Sequence, residues 1–172
     1  MESDEELMAA VARGDERALG ILVERHTPRL HAHLTRMTGS GDDAEDLLQE
    51  TWLRVARGAR SFQEGRPVRP WLFGIASNLA RDFHRRRSVR RHVRHDASPG
   101  QTPPGARPLE TIALRDRVRR LPDRLREILW LRFYEGFTEA EMAEALGIPR
   151  GTVKSRLHGA IRELKRGWEG RG

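Results

Sequence analysis

The chain has no cysteine among its 172 residues. Disulfides, thiolate metal sites and a cysteine nucleophile are therefore excluded. Lysine is nearly missing as well. Of 32 basic residues only Lys154 and Lys165 are lysine, so 30 are arginine. Such a bias fits a GC-rich genome, and it also supplies planar forks that match phosphate and guanine. No apolar run approaches the ~20 residues that span a bilayer. The opening Met1-Glu2-Ser3-Asp4-Glu5-Glu6 is acidic, unlike a secretory signal. The expectation is a cytoplasmic protein with no membrane contact of its own. No segment shows the alternation of a strand, and glycine and proline fall between helical runs. The predicted class is all-α, without internal repeats.

What is present is positive charge. The formal net charge is +7, with 25 acidic residues against the 32 basic ones. A basic balance points to nucleic acid or another polyanion. Thr138 to Lys165 says where it would be met. Thr138 is a suitable N-cap and Glu141 completes a capping box. Met142, Ala143 and Leu146 give a short helix one apolar edge. Gly147 can end that helix in the left-handed conformation, and Pro149 suits the start of the next. Val153, Leu157, Ala160, Ile161 and Leu164 then recur at helical spacing and should face inward. Arg150, Lys154, Ser155, His158, Arg162 and Lys165 are left outside. Two helices on a tight turn, the second basic outside, form the helix-turn-helix pattern of major-groove readers. The plainer alternative is a helical hairpin with a solvated charged face.

Composition divides the chain into two small helical domains, 1–95 and 109–172. Between them, 96–108 is rich in proline and glycine and lacks large apolar residues. It reads as a flexible linker, able to span about 40 Å when extended. In the first domain a helix from about Glu5 to Ala12 stops at Gly14. A second carries Leu19, Leu22, Val23, His26, Leu30, Leu34 and Met37 inward, with Pro28 a candidate bend. Asp42 opens a third, with Ala44, Leu47, Leu48, Thr51 and Val55 inward. Ser61 to Arg69 reads as a loop. Pro70 starts a fourth, with Leu72, Ile75, Ala76, Leu79 and Phe83 inward. In the second domain a helix from about Leu109 to Arg120 precedes one starting at Pro122, with Leu125, Ile128, Leu129, Arg132 and Phe133 inward.

Three surfaces stand out besides the helix-turn-helix. Asp42, Asp43, Glu45, Asp46, Gln49 and Glu50 crowd one helix of a basic protein. Asp46, Gln49 and Glu50 share a face. Helix-dipole complementation explains only the first of these carboxylates. A solvated face and a basic protein partner both fit the rest. Next, Phe62 and Trp71 bracket a loop bearing Gln63, Glu64, Arg66 and Arg69. Trp71 and Asn78 lie on one side of the following helix, which Arg81 and Arg85 extend. Aromatics stack bases, amides read edges and arginines hold phosphates, a combination suited to single-stranded DNA. The alternative makes Trp71 and Phe62 core residues, a reading at least as apt for Phe62. The third surface is the basic run from His84 to His95, which needs a polyanion or solvent. His92 and His95, with Asp96, have a metal-like spacing that the neighbouring arginines oppose. No metal, cofactor or catalytic residue is expected.

These stretches together resemble a bacterial RNA polymerase sigma factor of the extracytoplasmic-function group. The resemblance rests on Gly14-Asp15 with Ala18, on Asp43 to Trp52, on Pro70 to Ala80 and on Gly151 to Leu157, in that order. It implies that 1–95 is sigma region 2 and 109–172 is sigma region 4. It implies that Asp46, Gln49 and Glu50 meet the clamp helices of core RNA polymerase. Gln63, Arg66, Arg69, Trp71, Asn78, Arg81 and Arg85 would engage the melted −10 element of promoter DNA. Arg150, Thr152, Lys154, Ser155, His158 and Arg162 would read the −35 duplex. An anti-sigma factor is an expected partner, and an autoinhibitory N-terminal domain is not expected. The chain departs from the family at Gly159, where relatives often carry an arginine. Its loop is also stiffened by Pro67 and Pro70. Two other classes remain in view. A helix-turn-helix regulator of the response-regulator output type would need neither the acidic face nor the Trp71–Asn78 helix. A small nuclease would need carboxylates clustered with the histidines, and here they lie on different helices.

Overall fold

A computed structural model describes residues 2–93 and 110–169, with side chains for 2–89 and 114–166. The expected linker, 96–108, and the metal-like spacing of His92, His95 and Asp96 lie outside those side chains. Among the described residues the regular elements are helices: α1 (Asp4–Ala12), α2 (Glu16–Thr38), α3 (Gly41–Gly58), α4 (Val68–Val93), α5 (Glu110–Arg120), α6 (Asp123–Phe133), α7 (Glu139–Leu146) and α8 (Arg150–Glu169). A single 3-10 turn, Ala59–Ser61, follows α3. The chain divides into two compact units, residues 1–103 and 104–172.

In the first unit, Ser3 and Glu6 cap α1 reciprocally, at 3.1 and 2.7 Å. Leu7 and Met8 of α1 are fully buried. Asp4 binds His26 of α2 at 2.7 Å and also pairs with Arg25. α2 is capped by Asp15, which accepts the amides of Arg17 and Ala18. It continues through Pro28, which lies on its solvent side. Its buried stripe is Leu22, His26, Leu30, His33, Leu34 and Met37; Leu19 and Val23 are half-buried. α3 packs on α2, and α4 packs on both, so the core lies between these three helices.

Two boundaries differ from expectation. α3 starts at Gly41 rather than Asp42, because the Ser40 hydroxyl accepts the Asp43 amide at 3.2 Å. α4 starts at Val68 rather than Pro70. A proline in the first turn loses no bond, since the amide it lacks has no partner within the helix. The helix also carries on through Val93 and takes in most of the basic run, as arginine is a good helix former.

In the second unit, Leu121, Leu129 and Ala160 form a cluster with Leu125, Leu157 and Leu164 packed against it. Ile128, Leu131, Phe137, Met142 and Val153 are fully buried. The capping box of Thr138 and Glu141 is present, at 2.8 and 3.2 Å. Gly147 has φ 63°, so it closes α7 in the left-handed region, and the Ile148 amide reaches back to Ala143 at 3.1 Å. Pro149 precedes α8, and its carbonyl accepts the Thr152 and Val153 amides. Three expected inward residues are outside. Arg132 is exposed and donates from Nη1 to the Phe137 carbonyl at 3.0 Å. Phe133 is 68% exposed, because it is the last residue of α6 and burial there passes to Leu131 and Phe137. Ile161 is 39% exposed, because Leu157, Ala160 and Leu164 occupy the inward stripe of α8.

Candidate functional site

The acidic face is fixed by what α3 buries. Ala44, Leu48, Thr51 and Val55 turn toward the core, which leaves Asp42, Glu45, Asp46 and Gln49 exposed. Glu50 is half-buried and accepts from Arg54 Nε at 2.9 Å. A partly exposed pair of this kind contributes ~1 kcal/mol or less. Asp43 is drawn instead toward Arg87 of α4, at 3.6 Å, so it belongs to the scaffold. The sequence reading left out Leu53, which is 51% exposed three residues after Glu50. Its signal was available, since 53 falls off the buried stripe of 48, 51 and 55. The face therefore combines carboxylates, an amide and one exposed leucine.

The second surface begins where α3 ends. Gln63 and Arg66 are joined by a turn, with the Arg66 amide donating to the Gln63 carbonyl at 3.1 Å. Gly65 in that turn has φ 83°, as the third position of a type II turn requires. Gln63 is exposed, while Arg66 and Arg69 are half-buried. Arg69 lies 5.7 Å from the Phe73 ring centroid. Trp71 is half-buried, with its ring 4.8 Å from that of Phe62 at 58°. Gly58 also approaches this ring, and an added Cβ there would stand 3.4 Å from the indole. Asn78 is exposed, and its Oδ1 accepts from Arg81. Arg85 pairs with Asp82 at 2.7 Å. The loop and one side of α4 thus bring an amide, arginines and an aromatic edge together.

Beneath α4 lies a histidine that the sequence reading passed over. His33 Nε2 meets Ser77 Oγ at 2.9 Å, and its ring lies 5.2 Å from Phe73. Burial holds its pKa down to about 3, helped by the charges of Arg36 and Arg81. His26 is also shifted down by burial, against the raising effect of Asp4. Both rings serve the packing of the helices that carry the surfaces.

The third surface is the outer side of α8. Arg150, Lys154, Ser155, His158 and Arg162 are exposed, and Thr152 is half-buried. The Ser155 hydroxyl donates to the Thr152 carbonyl at 3.0 Å, and Lys154 lies 3.8 Å from Glu139 of α7. His158, Ile161, Arg162, Lys165 and Arg166 continue this exposed face along the second half of the helix. Gly159 is half-buried and faces α6, where an added Cβ would lie 3.9 Å from Leu125. Basic and small polar groups on one exposed helix face suit phosphate and base-edge contacts. Among the described residues no group of three His, Asp or Glu is placed to hold a metal ion, and no helix is long and apolar enough to cross a membrane.

Comparison with known proteins matches both units. The model of Sigma-70 region 2 covers residues 22–90, and that of Sigma-70, region 4 covers residues 111–164. The ECF RNA polymerase sigma factor SigL of Mycobacterium tuberculosis is 33% identical over 166 residues, spanning 92% of this chain and 93% of the relative. The RNA polymerase sigma factor CarQ of Myxococcus xanthus is 35% identical over 159 residues, spanning 88% and 90%. Among solved structures, CnrH in complex with the cytosolic domain of CnrY matches with a TM-score of 0.75 and 27% identity, over 99% of this chain and 100% of that one. Two region models in order, and relatives a third identical over nearly their whole length, place this chain in the extracytoplasmic-function group of the sigma-70 family of RNA polymerase sigma factors.

Proposed function

We propose that this chain binds core RNA polymerase in the cytoplasm and directs it to promoters, and that it contributes binding rather than chemistry. The observation that carries this is one chain bearing an exposed acidic helix face in one unit and an exposed basic helix-turn-helix face in the other. On this reading 1–95 acts as region 2, 96–108 as the linker and 109–172 as region 4. Asp46, Gln49 and Glu50, with Leu53, dock on a basic surface of the polymerase. Arg150, Thr152, Lys154, Ser155, His158 and Arg162 hold the −35 duplex. Gln63, Arg66, Arg69, Trp71, Asn78, Arg81 and Arg85 capture bases of the opened −10 strand, which traps thermal opening. Two modest DNA sites on one tether gain effective concentration, so the pair is specific where each alone is weak. CnrH was solved with the cytosolic domain of CnrY, which supports a protein partner here too. We assign that role to an anti-sigma factor.

The test is a selection from a random-sequence duplex library by core polymerase reconstituted with the chain. Two sequence blocks at a fixed separation should be enriched by the holoenzyme, and neither by core alone. A single block enriched by the free chain, with no effect of core, would favour the helix-turn-helix regulator.

A further inference from the structure

The first helix carries a carboxylate that the three surfaces do not use. Glu5 Oε1 accepts the backbone amide of Val68 at 3.2 Å, across 63 residues of sequence. Val68 is the first residue of α4, and Pro67 before it has no side-chain acceptor, so Glu5 supplies a cap from another helix. A carboxylate there also faces the positive end of the helix dipole. α1 packs in addition on the 3-10 turn Ala59–Ser61, whose Ala59 is buried. The loop that carries Gln63 and Arg66 runs between these two points. α1 therefore grips the chain on both sides of that loop. α1 is itself anchored, by Leu7 and Met8 in the core and by Asp4 on Arg25 and His26.

We propose that Glu5 is a positioning residue for the loop 62–67 and the first turn of α4, and hence for capture of the opened strand by Gln63, Arg66 and Trp71. The idea rests on the −10 role given to those residues above. Glu5 makes no contact with DNA in this account. It fixes the direction in which α4 leaves the loop, through a capping bond received from another helix. Losing it would let the first turn fray, and the loop would sample more conformations before binding. That entropy would be charged to strand capture alone.

The experiment uses holoenzyme made with full-length chain and a promoter fragment enriched in the selection above. Three quantities are read: retention of the closed duplex, permanganate reactivity of thymines in the opened segment, and thermal unfolding of the free chain. Glu5→Ala should lower opening about fivefold, in line with loss of a helix cap, while duplex retention stays within twofold. Glu5→Gln keeps an acceptor oxygen and should restore most of the opening. Unchanged opening in Glu5→Ala would overturn the proposal. So would an equal fall in retention and opening that Glu5→Gln does not rescue, since that marks a general loss of fold. If wild-type holoenzyme opens no DNA, the −10 assignment itself fails, and the proposal with it.

Discussion

His33 shows at the residue scale how a polar group can serve this core. It sits on the buried stripe of α2 between Leu30 and Met37, neutral, with Ser77 as its partner. Its pKa of about 3 in the fold lies far below the 6.5 of a free histidine. Below pH 6.5 the unfolded chain therefore takes up a proton that the folded chain refuses. Stability is lost as pH falls from 6.5 toward 3, by up to ~1.4 kcal/mol per pH unit, and is indifferent to this group above 6.5. His26, also shifted down by burial, acts in the same direction. Urea unfolding between pH 7.5 and 5 should show wild-type stability falling more steeply than that of His33→Gln. Matching slopes would contradict the assignment. Residue-level exposure also refines the acidic face, where Asp43 turns to Arg87 and Leu53 turns to solvent.

At the scale of elements, the caps and turns were the most legible features. Thr138 with Glu141 and the Gly147 stop were read from sequence and are present, because these signals are local. The buried stripes of α2 and α3 followed from their 3.6-residue period. What escaped depended on partners far along the chain. The start of α4 at Val68 depends on a carboxylate from α1, and no local rule names Glu5. The exposure of Phe133 reflects where α6 ends, and that of Ile161 reflects the narrow inward stripe of α8 set by Leu157, Ala160 and Leu164. His33 was legible in principle, since it falls on the same helical stripe as His26, Leu30 and Met37. Gly159 also acquires a context. It faces Leu125 with room for a methyl group, so the lack of a side chain there is not forced by packing. Gly159→Ala should stabilise the C-terminal unit by roughly 0.5–1 kcal/mol through helix propensity alone. A loss of stability on chemical unfolding would mean that α6 and α8 approach more closely than the structure shows.

For the whole molecule, the acidic face is the feature that a plain DNA-binding protein would not need. A chain of net charge +7 displays Asp42, Glu45, Asp46 and Gln49 together on one exposed face of α3. Partition of charge by surface lets one chain bind a basic protein and a polyanion without competition between them. The family and the helical fold were legible from motif order, while the roles of individual side chains rest on placement alone. The most direct measurement is co-elution of the chain with purified bacterial core RNA polymerase on a sizing column, beside Asp46→Arg and Glu50→Arg. Asp46 is exposed and Glu50 half-buried on the outer side of α3, so the charge reversals should leave the fold intact. The account predicts that wild type co-elutes with core and that both variants elute as free chain. Co-elution that survives both reversals would contradict the docking face, and a wild type that never joins core would contradict the central claim.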